Sequence, residues 1–150
     1  MVKHGTYTDN KFIYCVDLML LYIKMITSTE IKINKLLPQL KINDWGDLSP
    51  FEVILDKNKS IEHYNRIINS DLRYPIIVNE KYQIIDGMHR LAKAYLRNKK
   101  YIKAYIIDNK IMKKFIIGEK RQKWKDSDWN YYESLTKKDI EKLFTVRFKN

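Results

Sequence analysis

One stretch constrains this chain more than any other: Tyr82 to Leu96, reading Tyr-Gln-Ile-Ile-Asp-Gly-Met-His-Arg-Leu-Ala-Lys-Ala-Tyr-Leu. An apolar strand runs into a polar turn, Asp86-Gly87-Met88-His89-Arg90, and then into an amphipathic helix. Leu91, Ala94 and Tyr95 recur at helical spacing, with Lys93 and Arg97 on the other side. A strand that enters a helix through glycine aims backbone N–H groups and the positive end of the helix dipole at one point, which favours an anion. His89 and Arg90 add two side-chain donors there, and Asp86 ends the strand within reach of a metal or a hydroxyl. Taken singly, Asp86 also fits a plain helix cap, since Asp-Gly is a common turn.

The flanking segments predict an α+β fold with a small mixed sheet. Pro75-Ile76-Ile77-Val78, the turn Asn79-Glu80-Lys81 and Tyr82-Gln83-Ile84-Ile85 form a β-hairpin pattern, and Lys103–Ile107 supplies a further strand. Ile31-Lys32-Ile33-Asn34 alternates as a strand does, and Pro38 is expected to end that element. Phe12–Lys24 suits a strand or a helix, with Val16, Leu20 and Ile23 favouring the helix. Residues 1–11 are polar and read as loose, and Ile111–Ile117 as ambiguous. Ser49-Pro50-Phe51-Glu52 carries the marks of an N-cap, a proline at N1 and a capping-box acid. Ser60 caps the next helix, whose apolar face is Ile61, Tyr64, Ile67 and Ile68, leaving His63 and Arg66 on the solvated side. Trp45 is expected to anchor its loop on the core, and Thr136 to open a last helix through Phe144.

At 150 residues the chain is expected to form one domain, with a core over about 26–117 and a basic, aromatic extension over 119–150. A single cysteine, Cys15, leaves no internal disulfide framework. Phe12–Ile26 is too short to span a membrane, Asp17 and Lys24 interrupt it, and no secretory signal is visible, so a cytoplasmic location without membrane partners is expected. The net charge is +11, but residues 47–96 hold seven basic and seven acidic side chains, against sixteen and seven over 97–150. That surplus, with aromatics interleaved, fits a nucleic-acid surface carried by Lys113, Lys114, Lys120, Arg121, Lys123 and Trp124. Aromatics folded back on the core would explain the same pattern.

Hairpin, Asp-Gly-x-His-Arg turn, helix and strand together resemble the ParB/sulfiredoxin superfamily over about residues 45–108. Sulfiredoxins place a nucleophilic cysteine where this chain has Met88, and a thioether offers no thiolate, so that activity is excluded. ParB proteins hold a nucleoside triphosphate on Gly-Glu-Arg-Arg and follow it with a helix-turn-helix, which has no convincing counterpart here. The free-serine kinases of the superfamily are most similar: their Pro-x-Glu and Asp-Gly-His-His-Arg match Pro50-Phe51-Glu52 and Asp86-Gly87-Met88-His89-Arg90 in order and separation. A family of small viral and phage proteins shares the arrangement.

The resemblance to these kinases implies a nucleotide-binding phosphotransferase acting on a small hydroxyl-bearing substrate, with Mg²⁺ and ATP or ADP, or CTP. Glu52 is then the general base, Asp86 the metal or hydroxyl-orienting acid, His89 a catalytic group at the phosphate, and Gly87, Met88, His89 and Arg90 the phosphate-binding turn. The alternative is a nucleic-acid-binding module, with a nuclease as its variant, built on the basic C-terminal residues; a shared phosphate site requires Glu52 and Asp86, 34 positions apart, to face one cleft.

Overall fold

The computed structural model describes residues 5–119 and 132–149, which form an α+β fold of two compact units. One is continuous, Ser28–Ile107; the other joins Met1–Thr27 to Asp108–Asn150.

The continuous unit holds a four-stranded mixed sheet in the order β3–β6–β4–β5, where β3 is Thr29–Lys32, β4 Ile76–Asn79, β5 Ile84–Asp86 and β6 Tyr101–Ile107. β4 runs parallel to β6, and the other two pairings are antiparallel. As an interior strand, β4 is an unbroken apolar run, and Ile76, Ile77 and Val78 are all fully buried. β6 alternates instead, with Ile102 and Ala104 turned into the core. The helices α2 (Leu37–Leu40), α3 (Pro50–Leu55), α4 (Ile61–Asn69) and α5 (Met88–Leu96) complete the unit. Leu40, Val53, Ile67 and Leu91 are the large side chains among those they bury fully, each stabilising by roughly 1.5–3 kcal/mol. The edge strand β5 has a free N–H at Ile84, which donates to Gln39 Oε1 at 3.0 Å.

Several local expectations need correction. Pro38 does not end a strand; β3 already stops at Lys32, a 3₁₀ turn follows, and Pro38 sits in the first turn of α2, where its missing N–H costs nothing. On α4, Ile61 and Ile68 are 50% and 38% exposed, so the buried stripe narrows to Ile67 with partly buried Tyr64. Both helix starts read from capping residues hold: the Ser49 and Ser60 hydroxyls accept from Glu52 N–H at 3.2 Å and His63 N–H at 3.3 Å.

In the second unit, β1 (Thr6–Thr8), β2 (Phe12–Cys15) and β7 (Ile116–Glu119) form an antiparallel sheet in that order. Phe12–Lys24 is therefore both alternatives in succession, strand β2 and then α1 (Val16–Tyr22), and the polar start of the chain contains a strand. The ambiguous 111–117 segment is likewise split, between α6 (Asn109–Met112), a 3₁₀ turn and β7. The last helix, α7 (Lys137–Phe148), opens on a Thr136/Asp139 capping box. Fully buried Phe115 packs edge-on to Tyr22 with centroids 5.7 Å apart, and lies 5.4 Å from Phe148. Tyr132 is buried, and its hydroxyl lies 3.0 Å from Gly5 O and 2.9 Å from Asp17 Oδ2, either of which can accept its single proton, so this C-terminal aromatic does fold back.

Candidate functional site

β5 carries a register shift just before the turn. Ile77 pairs with Asp86 but Val78 with Ile84, so Ile85 is an extra residue and the strand end is re-aimed. Gly87 follows with φ +108°, and a Cβ there would stand 2.6 Å from Ile76 Cγ2 and 3.0 Å from Arg90 Nη2. Both the backbone conformation and the space demand glycine. α5 begins directly after it with no side-chain cap, so the first-turn N–H groups are not taken by a capping side chain. The Met88 side chain is buried in the core, which leaves only its backbone for any ligand.

Arg90 fixes the geometry around this helix start. Nη1 donates to Tyr74 O at 3.2 Å and Pro75 O at 3.0 Å, and Nη2 donates to Asp86 Oδ2 at 3.0 Å. A guanidinium has five N–H donors, so two, including Nε–H, stay unused by the described residues. Arg90 thus ties strand to turn and keeps donors for an anion. The Asp86 side chain, 44% exposed, has its other oxygen without a partner among the described residues.

His89 is held by two residues distant in sequence. Its Nε2 lies 3.0 Å from His63 Nδ1, and the rings are 14° from parallel with centroids 5.2 Å apart, so they meet edge to edge in nearly one plane. The Trp45 indole lies flat on both, 4.2 Å from His63 and 4.6 Å from His89. One imidazole donates and the other accepts, so at least one of the two rings is uncharged. Burial, then the charges of His63, Arg66 and Arg90, push His89 down to about 4, and only Asp86 opposes them. At neutral pH His89 is therefore an uncharged imidazole. Of the two side-chain donors that the sequence places at the turn, only Arg90 therefore brings a positive charge. Beside Trp45, burial raises Asp44 above its ordinary value while His63 pulls it down.

Asp86, Gly87, His89 and Arg90 line one open cleft of about 480 Å³ with Arg66, Asn69, Ser70, Asp71 and Tyr74. α4 supplies Arg66 and Asn69, and it is fixed to α5 by Lys93 Nζ, which donates to Ser70 O at 2.5 Å at the helix C-terminus. Asp71 is drawn well below the usual carboxylate range by its hydrogen bonds to Arg73.

Glu52 is placed elsewhere. Its Oε2 accepts from Ser49 N–H at 2.9 Å, which closes the capping box of α3, and it is not among the residues lining the cleft. The structure gives it the capping role that the sequence also allowed. α3 meets α5 through Phe51 and Tyr95, centroids 5.8 Å apart, rather than through its acid.

Comparison of the chain with family models, curated proteins and solved structures finds no match.

The donor set fits a magnesium ion of one kind only. Among the described residues no group of three or more His, Cys, Asp and Glu converges on a point, so no protein cage is present. A hard ion that takes one carboxylate, here Asp86, and its other ligands from phosphate and water is compatible with the cleft. Of the residues assigned to a nucleic-acid surface, Lys120, Arg121, Lys123 and Trp124 lie outside the described residues. Lys113 is exposed, whereas Lys114 sits 5.0 Å over the Phe148 ring and its carbonyl accepts from Arg147 at 2.9 Å. No described helix is long and apolar enough to cross a membrane.

Sequence reasoning missed Trp45, His63, Arg66 and Tyr74. The signal for two of them was present: His63 and Arg66 sit i, i+3 on α4 and so neighbour each other on its surface. Nothing local linked that face to the Asp-Gly turn.

Proposed function

We propose that the chain binds the phosphates of a nucleotide at the start of α5 and acts as a kinase-like phosphotransferase on a small hydroxyl compound. The observation that carries this reading is the uncapped α5 start after a glycine at φ +108°, with Arg90 and Asp86 in the same cleft. In this reading backbone N–H groups, the helix dipole and the two guanidinium donors unused by the described residues are what the cleft offers a negative group. Arg66 adds a second positive charge to the same cleft. Mg²⁺, when bound with the nucleotide, supplies charge neutralisation between phosphates and Asp86. Phosphoryl transfer needs little more than a positioned acceptor and neutralised charge. Because Glu52 is committed to its cap, the acceptor proton falls in this reading to a group that lines the cleft: Asp86 as the orienting carboxylate or His89 as a neutral imidazole.

Calorimetric titration of ATP, ADP and CTP with Mg²⁺ tests the binding, using wild type, Arg90→Ala and Arg66→Ala. The second variant loses only a surface ion pair with Glu62, so it guards against a folding artefact. Wild type binds at least one nucleotide, and both variants bind it at least about tenfold more weakly. Absence of wild-type binding, or equal affinity in all three proteins, removes the proposal.

A further inference from the structure

We propose that Tyr74 is a platform for the base of the bound nucleotide, so that the cleft selects a nucleoside polyphosphate over a bare polyphosphate. The inference rests on the phosphate-binding reading and extends it to the other wall of the cleft.

Tyr74 is 63% exposed, whereas Trp45, Phe51, Tyr64, Tyr82 and Tyr95 all pack against the core of the same unit. A large ring left in solvent at the edge of a polar cleft has no packing role to explain it. Its position is nonetheless fixed. Pro75 restricts Tyr74 to extended backbone, and both carbonyls, Tyr74 O and Pro75 O, are held by Arg90 Nη1. The guanidinium that reaches Asp86 thus also holds the Tyr74 backbone, the point from which the ring projects, close to the anion site.

Polar groups suited to the edge of a base lie in the same cleft. The Asn69 side-chain amide has no partner among the described residues and offers both a donor and an acceptor. Among the described residues Arg66 is paired only with Glu62 on its own helix, at 3.1 Å with both side chains mostly in solvent. Such a pair is weak, so the guanidinium is free to turn towards a ligand. A cleft of about 480 Å³ matches a nucleotide-sized ligand, since small-molecule sites run from about 300 to 1,000 Å³. Stacking on an aromatic ring is tolerant of base identity, so affinity rather than strict base choice is the property gained.

The test compares ATP, CTP and inorganic tripolyphosphate, each with Mg²⁺, binding by calorimetry to wild type, Tyr74→Ala and Tyr74→Phe. Wild type binds ATP more tightly than tripolyphosphate. Tyr74→Ala loses about 5- to 150-fold in ATP affinity, approaching the tripolyphosphate value, while its tripolyphosphate affinity is unchanged. Tyr74→Phe restores ATP binding because the π-face remains. The exposed ring makes a folding defect in these variants unexpected, and thermal melts check that. Wild-type tripolyphosphate binding as tight as that of both nucleotides, or an alanine variant as good as wild type on ATP, overturns the platform and leaves the phosphate site standing. Failure of every ligand on wild type overturns both.

Discussion

Gly87 and His89 carry the sharpest consequences of the site. A Cβ at position 87 meets Ile76 at 2.6 Å in a backbone conformation that L residues avoid. Gly87→Ala is therefore expected to destabilise the chain by about 2–4 kcal/mol, read from urea denaturation, by combining backbone strain with overpacking. A loss under about 0.5 kcal/mol would mean that the turn is not built this way. His89 makes stability depend on pH. Its folded-state value, about 4, lies below the ordinary 6.5, so the unfolded chain takes up the proton first as pH falls. The stability due to this group is whole above about pH 6.5 and drains away as the pH falls towards about 4. The expected loss is about 1–2 kcal/mol after allowance for solvent screening. His89→Gln removes that slope; identical pH profiles for variant and wild type would contradict the buried, neutral imidazole. The glycine was legible in the sequence because its constraint is local. The neutrality of His89 was not, because Trp45 and His63 reach it from positions 44 and 26 residues earlier.

Helix starts were the most legible elements, since a cap and its acid sit within four residues. Ser49/Glu52, Ser60 and Thr136/Asp139 all take the roles their spacing predicts. The same locality makes Glu52 ambiguous, because a capping acid and a catalytic acid after Pro50 look alike in sequence. Geometry separates them by experiment. Glu52→Gln retains the capping hydrogen bond and is expected to change neither stability nor nucleotide affinity measurably. Glu52→Ala costs about 0.5–2 kcal/mol of stability in thermal or urea denaturation, again without change in nucleotide affinity. If Glu52→Gln abolishes nucleotide turnover in a fully folded protein, the acid has a catalytic role that its cap does not reveal. Strand pairing was half legible. The β4–β5 hairpin announces itself, whereas the parallel β4–β6 pairing joins residues nearly 30 positions apart.

The division of the whole molecule was the least legible feature. A single core over about 26–117 is the natural expectation from composition, yet one compact unit ends at Ile107 and the other is discontinuous. Its sheet pairs Phe12 with Glu119, and no local period can signal a partner that distant. The net charge of +11 invites a nucleic-acid role for the C-terminal residues, while the neutral stretch 47–96 holds the cleft. A phosphate ligand therefore has two rival destinations, and they are separable residue by residue. The most direct measurement is an NMR titration of the isotope-labelled full chain with Mg²⁺ and ATP, following backbone amides. The largest shifts are predicted at Gly87, Met88, His89 and Arg90, with saturation at a defined stoichiometry and only small changes over 137–149. Shifts concentrated in the basic C-terminal residues, or a helix start at α5 that does not respond to ATP or to the other nucleotides, would contradict the account.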